Sequence, residues 1–289
     1  MRDPLDDYRA LNDPETRRQV ERRGDYFVVE GLLALEALMD SPYPVRSVLA
    51  TERRAERVSA LVAGRAPLLV RDDAEVAAVA GFDVHRGVLA AADRRPLPSA
   101  RAVVEAADLV VVAEGIGDHE NLGALFRNAA AFGVGAMLLD PTTADPLYRR
   151  SIRVSLGHVL RVPWTRLEPW PRGLRDLADQ GFAVLALTPA ADAEPIARVV
   201  EALGPAGTPA SASVSASASA SGGQLAAEPD VGRPRLALLV GAEGPGLTGA
   251  AMEAATRRVR IPLALGVDSL NVATAAAIAL HALAGSRLP

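Results

Sequence analysis

Apolar and polar positions alternate in two different ways along the chain, and the change divides it into two α/β segments. Over residues 25–95, short apolar runs of strand length are separated by helical repeats, which is typical of a small α/β domain. The predicted strands are Tyr26–Glu30, Val45–Ala50, Leu68–Val70 and Arg86–Ala92, and the predicted helices are Gly31–Met39, Arg53–Ala63 and Asp73–Ala80. Residues 1–24 are charged and lack periodicity except at Thr16–Arg23, so we expect a loose leader with one short helix. Residues 96–106 are expected to form a linker.

The second segment, residues 107–289, opens with an unbroken apolar run instead of an alternating one. Leu109–Ala113 suits a strand that is covered on both faces. A polar loop follows, and then a helix that ends near Gly133 and has one apolar face, formed by Leu122, Leu125, Phe126 and Ala129. Ala136–Leu139 is the next predicted strand, so this stretch is a βαβ unit and the sheet is expected to be mostly parallel. Further predicted elements are the strands Ala183–Leu187 and Leu236–Val240 and the helix Ile196–Leu203.

The last apolar stretch carries a group of polar residues between two apolar segments. Ile261–Leu265 predicts the end of a strand, Gly266–Ser269 a tight turn, and Val272–Leu283 an alanine-rich helix buried nearly all round. Either Ser269 or Asn271 can cap this helix through a side-chain oxygen. One cap does not account for Asp268, Ser269 and Asn271 together, so we expect a site at the helix start.

Between these elements, residues 204–234 consist largely of alanine, serine, glycine and proline. Such a composition cannot bury enough apolar surface to offset its chain entropy, and it predicts a disordered insertion in a surface loop.

Composition narrows the classes of protein that fit. The 289 residues contain no cysteine, which excludes a disulfide framework and a thiolate metal site, and we expect no metal site at all. No apolar run reaches the roughly 18 residues of a membrane span, and the N-terminus is too polar for a signal peptide, so a soluble cytoplasmic protein is expected. The net charge of −4 argues against a protein that coats nucleic acid.

Basic residues are all arginine, and one stretch of the chain concentrates them. Arg149, Arg150 and Arg153 lie in a run without acidic residues that extends from Asp145 to Glu168. The run predicts either an ordinary solvated helix face or a surface that contacts the phosphates of a nucleic acid, for which the guanidinium fork is well suited.

The loop after Leu236–Val240 carries closely spaced glycines and one carboxylate, Glu243. It lacks the lysine and the spacing of a P-loop, and no GxGxxG follows the first strand of this segment. The loop does follow the carboxyl end of a strand, the side of an open α/β sheet on which ligands bind.

Three segments together carry a family resemblance. They are Asn121-Leu122-Gly123-Ala124-Leu125-Phe126-Arg127, Leu239–Leu247, and Ile261-Pro262 with Ser269-Leu270-Asn271-Val272. In this order and spacing they resemble the three motifs of the SpoU (TrmH-type) RNA ribose 2′-O-methyltransferases of the SPOUT superfamily. Val29-Glu30-Gly31 and His85-Arg86-Gly87-Val88 resemble the RNA substrate-binding domain that often precedes the catalytic one. The resemblance covers roughly Asp25 to Ala284 without the insertion, and His158 departs from it, since the family commonly has a small residue there.

The resemblance implies a parallel α/β sheet with a deep trefoil knot, S-adenosylmethionine as methyl donor, a homodimer, and RNA held across the interface. Asn121, Arg127, Glu243, Ser269 and Asn271 match the family's active-site positions. The residues expected to contact the methyl donor are Leu187, Thr188, Val240, Gly241, Gly244, Ile261, Pro262 and Leu270.

Three questions stay open on the sequence alone. Family mechanisms give the position of Arg127 a role in deprotonating the hydroxyl, but arginine stays protonated in proteins, so a phosphate clamp is an equal alternative. The chain is expected to methylate either rRNA or tRNA, without a choice between them. The rival interpretations are an RNA-binding module that has the fold without turnover and an α/β enzyme that binds another nucleotide.

Overall fold

The computed structural model describes residues 3–9, 11–13, 25–84, 86–203 and 234–285. The predicted short helix Thr16–Arg23 and residues 204–233 of the predicted insertion lie outside this range. Among the described helices, none is both long and apolar enough to cross a membrane.

The N-terminal domain is a four-stranded mixed sheet with helices packed on it. Its strands run in the order β1-β4-β2-β3, with β2 and β3 parallel and the other pairs antiparallel. The elements are β1 (Tyr26–Glu30), α1 (Leu32–Met39), β2 (Val45–Thr51), α2 (Ala55–Val62), β3 (Leu68–Arg71), α3 (Asp73–Ala80) and β4 (Val88–Asp93). The predicted strands and helices of this domain are all present, with ends shifted by up to two residues.

Part of the predicted leader is packed onto this sheet, so the expectation of a loose leader is wrong there. Pro4–Tyr8 forms a short 3-10 helix, and the Tyr8 side chain is fully buried. The Tyr8 hydroxyl donates to the Ser47 carbonyl at 2.7 Å and accepts from the Ala91 amide at 3.2 Å. Burial raises the pKa of this hydroxyl above its ordinary value. Residues of the leader therefore belong to the N-terminal core.

The C-terminal domain is a seven-stranded sheet in which every pair of neighbouring strands is parallel, in the order β7-β6-β5-β10-β8-β11-β9. Its elements are α4 (Ala100–Val104), β5 (Leu109–Glu114), α5 (His119–Ala131), β6 (Ala136–Leu139), α6 (Arg149–Val154), β7 (Trp164–Arg166), α7 (Arg172–Asp179), β8 (Phe182–Leu187), β9 (Glu194–Pro195), α8 (Ile196–Leu203), β10 (Arg235–Gly241), α9 (Gly249–Ala254), β11 (Arg257–Arg260) and α10 (Val272–Ala284). The parallel sheet predicted from the βαβ pattern is confirmed.

Both faces of this sheet are covered, as the unbroken apolar run predicted. Along β5, Val111 belongs to one apolar cluster, and Val110 and Val112 belong to another on the opposite face. The first cluster continues into the N-terminal domain through residues of α1 such as Leu35 and Leu38. The two domains therefore share a core.

Three predictions for this domain are corrected. The linker contains the helix α4, whose Val104 is fully buried. The predicted strand end Ile261–Leu265 is irregular, and the strand is β11, because only Val259 of its four side chains is buried and the apolar pattern is weak. Helix α10 is not buried all round, since Thr274, Ile278 and His281 are exposed on one face.

The polypeptide after β11 runs beside the loop that follows β10, and segments of both line one pocket. The knot implied by the resemblance would form where these segments meet. The threading of the chain there stays a prediction.

Candidate methyl-donor pocket

A pocket of about 450 Å³ lies at the carboxyl ends of β8 and β10 and beside the segment that follows β11. This is the side of an open α/β sheet where ligands bind. It is lined by Leu187, Thr188, Pro189, Val240, Gly241, Ala242, Glu243, Gly244, Gly246, Ile261, Leu263, Ser269, Leu270, Asn271, Val272 and Ala275. None of these lining residues carries a positive charge, and Glu243 contributes a carboxylate.

The loop Gly241–Leu247 forms one wall of the pocket and is folded back on itself. Ala242 and Gly246 form an isolated antiparallel bridge, and the Gly246 amide donates to the Ala242 carbonyl at 3.0 Å. A Cβ atom at Gly241 would lie 2.4 Å from the carbonyl carbon of Gly246 and 2.5 Å from the Leu247 nitrogen. Because these are backbone atoms, they cannot move aside without opening the loop. Position 241 therefore requires glycine in this conformation.

Asn271 connects the three segments that carry the resemblance. Its Nδ2 donates to Oε1 of Glu243 at 2.7 Å and to Oδ1 of Asn121 at 2.8 Å. Its Oδ1 accepts from the amides of Ala273 and Thr274 at 3.0 and 3.1 Å, which makes Asn271 the N-cap of α10. One side chain thus caps the helix and fixes the relative position of the glycine loop and α5.

A second contact from α5 supports the same helix start. The Asn128 side-chain amide donates to the carbonyl of Ala273 at 2.8 Å. Asn121 and Asn128 are seven residues apart and so lie on the same face of α5. The start of α10, which carries Ser269, Leu270 and Asn271 into the pocket, is therefore held at two points.

Comparison with known proteins bears on the whole C-terminal domain. The profile of the SpoU rRNA Methylase family matches residues 108–281. An uncharacterized tRNA/rRNA methyltransferase of Mycobacterium tuberculosis is 42% identical over 278 residues, which are 96% of this chain and 87% of the relative. The chain belongs to the SpoU rRNA methylase family. It is thereby a member of a family of RNA methyltransferases.

Solved structures of the SpoU family agree in fold. The methyltransferase AviRb of Streptomyces viridochromogenes, in complex with the cofactor AdoMet (S-adenosylmethionine), is similar with a TM-score of 0.74 and 19% identity over 99% of each chain. A structure described as an RNA 2′-O ribose methyltransferase is similar with a TM-score of 0.68 and 25% identity, over 99% of this chain and 96% of the other.

Of the residues expected to contact the methyl donor, Pro262 alone does not line the pocket. The sequence analysis missed Pro189, Ala242, Gly246, Leu263, Val272 and Ala275 as lining residues. Ala242, Gly246 and Val272 belong to the motif segments themselves, and Pro189 directly follows the expected contact Thr188. Ala275 lies one helical turn after Asn271, so the helical period was a signal that could have found it.

Arg127 is exposed and lies outside the pocket lining, on the part of α5 that is directed to solvent. Burial and the charges of Arg161 and Arg127 lower the pKa of the nearby His158 imidazole. Among the described residues, Arg127 has no hydrogen bond or ion pair. Its guanidinium is therefore available to a ligand that approaches from outside the pocket.

The three arginines predicted to contact RNA are held by acidic residues that lie far away in the sequence. Arg149 pairs with the buried Glu30 at 2.6 Å and is largely buried itself. Arg153 is 3.7 Å from the same carboxylate, and Arg150 pairs with Glu120 at 2.6 Å. Arg149 thus joins the two domains, and its guanidinium is already paired with the Glu30 carboxylate.

Proposed function

We propose that this chain transfers a methyl group from S-adenosylmethionine to a ribose 2′-hydroxyl of a structured rRNA or tRNA. The observation that carries the proposal is the joint contact of Asn271 with Glu243 and Asn121 at the edge of the pocket. It brings together one residue from each of the three motif segments. Relatives with tRNA/rRNA methyltransferase names and a similar structure with bound AdoMet support the same conclusion.

The residues of the pocket fit S-adenosylmethionine. Its volume of about 450 Å³ lies within the range of roughly 300–1,000 Å³ found for small-molecule sites. Leu187, Ile261 and Leu270 offer an apolar wall for the adenine ring, and the glycine loop offers backbone polar groups. A lining without positive charge and with the carboxylate of Glu243 suits a cationic sulfonium.

When bound, this cofactor supplies a methyl carbon that is already activated by its sulfonium charge. The chain has to orient the ribose hydroxyl and stabilise negative charge on its oxygen while the hydroxyl proton passes to water and the demethylated thioether leaves. Asn271 and Ser269 orient groups at the reacting centre. Glu243 holds Asn271 in place and thereby fixes the position of its amide.

Arg127 acts as a clamp for an RNA phosphate in this proposal. A guanidinium stays protonated at neutral pH, so it stabilises negative charge near the ribose and does not accept the proton. Arg127 does not line the pocket of its own chain. We therefore expect the RNA to extend from this arginine to a methyl-donor pocket. A homodimer with RNA across the interface would provide such a path. Exposed Leu265, Val267 and Ile278, on the loop and helix around the pocket, are apolar surface that a second copy would cover.

The N-terminal domain provides the second part of the RNA surface. The stem of Arg86 lies over Gly31, where a Cβ would be 2.8 Å from Cδ, and the stem of Arg54 lies over Gly87, with Cγ at 3.2 Å. Both arginines are exposed, and within the described residues neither has an ion pair or hydrogen bond. Other arginines of the domain, such as Arg53, have acidic partners. Arg54 and Arg86 are thus positioned for phosphates. Arg86 lies over Gly31, the residue next to Glu30, whose carboxylate is 3.7 Å from the half-exposed Arg153.

The proposal is tested by mapping ribose methylation in rRNA and tRNA from cells with and without the gene. We expect at least one 2′-O-methyl group to be lost in the deletion strain and restored by the wild-type gene. The deletion RNA should then accept a methyl group from the purified protein. Unchanged methylation in vivo, together with an inactive protein that still binds RNA, would instead support the binding module without turnover. With RNA as substrate, we place the enzyme in the cytoplasm.

A further inference from the structure

Glu114, the last residue of β5, touches both ends of the glycine loop without lining the pocket. In the sheet register its backbone lies opposite Gly241, the residue at which the loop begins. Its carboxylate accepts from Thr248, the residue directly after the loop, through the amide at 2.9 Å and the hydroxyl at 2.7 Å. Glu114 thus contacts the chain both where the loop begins, at Gly241, and directly after it ends, at Thr248.

The environment of this carboxylate is unusual for a glutamate. Glu114 is only 4% exposed, and glutamate is rarely buried without a charged partner. Among the described residues it has no ion pair, and its third donor is the indole Nε1 of Trp170 at 3.0 Å. Three neutral donors thus replace the water that this buried carboxylate lacks. Removing any one of them would leave the carboxylate with fewer hydrogen bonds.

Thr248 extends this arrangement into the next helix. Its hydroxyl donates to Glu114 and accepts from the Ala251 amide at 3.2 Å, which makes it the N-cap of α9. The loop Gly241–Leu247 is therefore fixed by a strand at its start and by a capped helix and a buried carboxylate at its end.

We propose that Glu114 is a positioning residue for the methyl donor: by holding Gly241 and Thr248 together, it keeps the loop Gly241–Leu247 in the shape that forms the pocket. This inference rests on the proposed function for the identity of the ligand, but the effect on the loop does not depend on it. Five lining residues, Gly241, Ala242, Glu243, Gly244 and Gly246, come from this loop. Glu114 acts on all of them through the ends of the loop.

The conservative variant Glu114→Gln tests the contact with little change in volume. The new amide can still accept from the Thr248 hydroxyl and the Trp170 indole, but its NH₂ group then faces the Thr248 amide, so that two donors oppose each other. We expect faster amide hydrogen exchange over residues 241–248 in the ligand-free protein and at least a tenfold weaker Kd for S-adenosylmethionine. Methyl transfer should show a higher KM for this cofactor with a smaller change in kcat.

Two further variants separate positioning from general stability. Thr248→Ser keeps both bonds to Glu114 and should resemble the wild type, whereas Thr248→Val loses the hydroxyl and should weaken cofactor binding. Tyr8→Phe removes buried hydrogen bonds within the N-terminal domain, which contributes no residue to the loop, and should lower the melting temperature without changing the Kd. If Glu114→Gln does not fold, the two Thr248 variants still provide the comparison.

The inference is overturned if Glu114→Gln or Thr248→Val lowers the melting temperature while exchange over 241–248 and the Kd stay at wild-type values. A wild-type chain that does not bind S-adenosylmethionine would contradict the proposed function instead. In that case, exchange over residues 241–248 in the ligand-free variants still decides whether Glu114 holds the loop.

Discussion

Asn271 Nδ2 lies 2.7 Å from Oε1 of Glu243, and this contact joins the start of α10 to the glycine loop. The same side chain caps α10 through Oδ1, so its oxygen and its nitrogen have separate roles. The oxygen stabilises the helix, and the amide hydrogens connect the site. Substitutions can therefore remove one task and keep the other.

Asn271→Asp should separate these two tasks. A carboxylate keeps the acceptor for the Ala273 and Thr274 amides but has no hydrogens for Asn121 and Glu243, and it opposes the charge of Glu243. Asn271→Ala loses the cap as well, at about 1 kcal/mol, or roughly 2–4 °C in melting temperature. We expect both variants to lose methyl transfer and the aspartate variant to melt closer to the wild type. An active Asn271→Asp enzyme would show that the amide contacts are dispensable.

Gly241→Ala should abolish cofactor binding for a steric reason. The added Cβ would meet backbone atoms of Gly246 and Leu247 at 2.4–2.6 Å, so the loop must open. Gly249→Ala is the matched control, because that Cβ meets nothing within 4 Å and lies in the first turn of α9. Calorimetry with S-adenosylmethionine should show at least a tenfold loss for the first variant and no loss for the second. Equal affinities of the two variants for S-adenosylmethionine would show that the glycine loop does not form part of the methyl-donor site.

Arg127→Ala should reduce methyl transfer strongly while the affinity for S-adenosylmethionine stays unchanged, because Arg127 does not line the pocket. Arg175→Ala serves as the control, because this exposed arginine of α7 also has no hydrogen bond or ion pair within the described residues. Single-turnover rates and calorimetry measure the two effects separately. Methylation by Arg127→Ala at the wild-type rate would exclude this arginine from the chemistry.

The pKa of His158 offers a test of the surroundings of Arg127. It should lie below the ordinary value near 6.5, because burial and the charges of Arg161 and Arg127 disfavour the protonated form. The unfolded chain then binds the proton more readily, so this histidine contributes stability above about pH 6.5 that is lost as the pH falls below that value. Titration by NMR should show the pKa rising in Arg161→Ala and in Arg127→Ala. If the pKa of His158 is the same in both variants as in the wild type, the placement of Arg161 and Arg127 near this imidazole is contradicted.

The N-terminal RNA surface is tested with pairs of arginines. Arg54→Ala with Arg86→Ala should weaken RNA binding and flatten the logarithmic salt dependence by roughly two units, one for each phosphate contact. Arg53→Ala with Arg57→Ala removes the same charge from arginines that pair with Asp73 and Glu36. That control should change the salt dependence less. Equal effects of the two pairs would show that RNA binding depends on the net charge of the domain and not on Arg54 and Arg86 in particular.

The sequence predicted elements best where burial is regular. The run Leu109–Ala113 and the helical period of α5 predicted a βαβ unit correctly, because alternate side chains of the strand enter two cores. The short strands β9 and β11 do not show in the sequence pattern because they bury few side chains: β9 lies at the edge of the sheet, and only Val259 is buried in β11. Tyr8 was missed because one aromatic residue within a charged leader has no periodic neighbours, although it is fully buried.

The candidate site could be predicted only through the family resemblance. Asn121 and Asn271 are separated by 150 residues, so no local pattern reveals their contact. The arginine run could not show by itself which of its guanidinium groups lack acidic partners, for a related reason. Glu30, which neutralises Arg149, lies 119 residues away in the sequence, so a stretch without local acids is not a free positive surface in the folded chain.

Labelled methyl transfer followed by alkaline hydrolysis tests the central claim most directly. A methyl group on the ribose 2′-oxygen blocks cleavage of the adjacent phosphodiester, whereas a methyl group on a base does not. With the wild-type protein, methyl-labelled S-adenosylmethionine and RNA from the deletion strain, we expect the label in alkali-resistant dinucleotides, and none with Asn271→Asp. Label released in mononucleotides, or equal labelling by Asn271→Asp, would contradict the assignment of this site to ribose 2′-O-methylation.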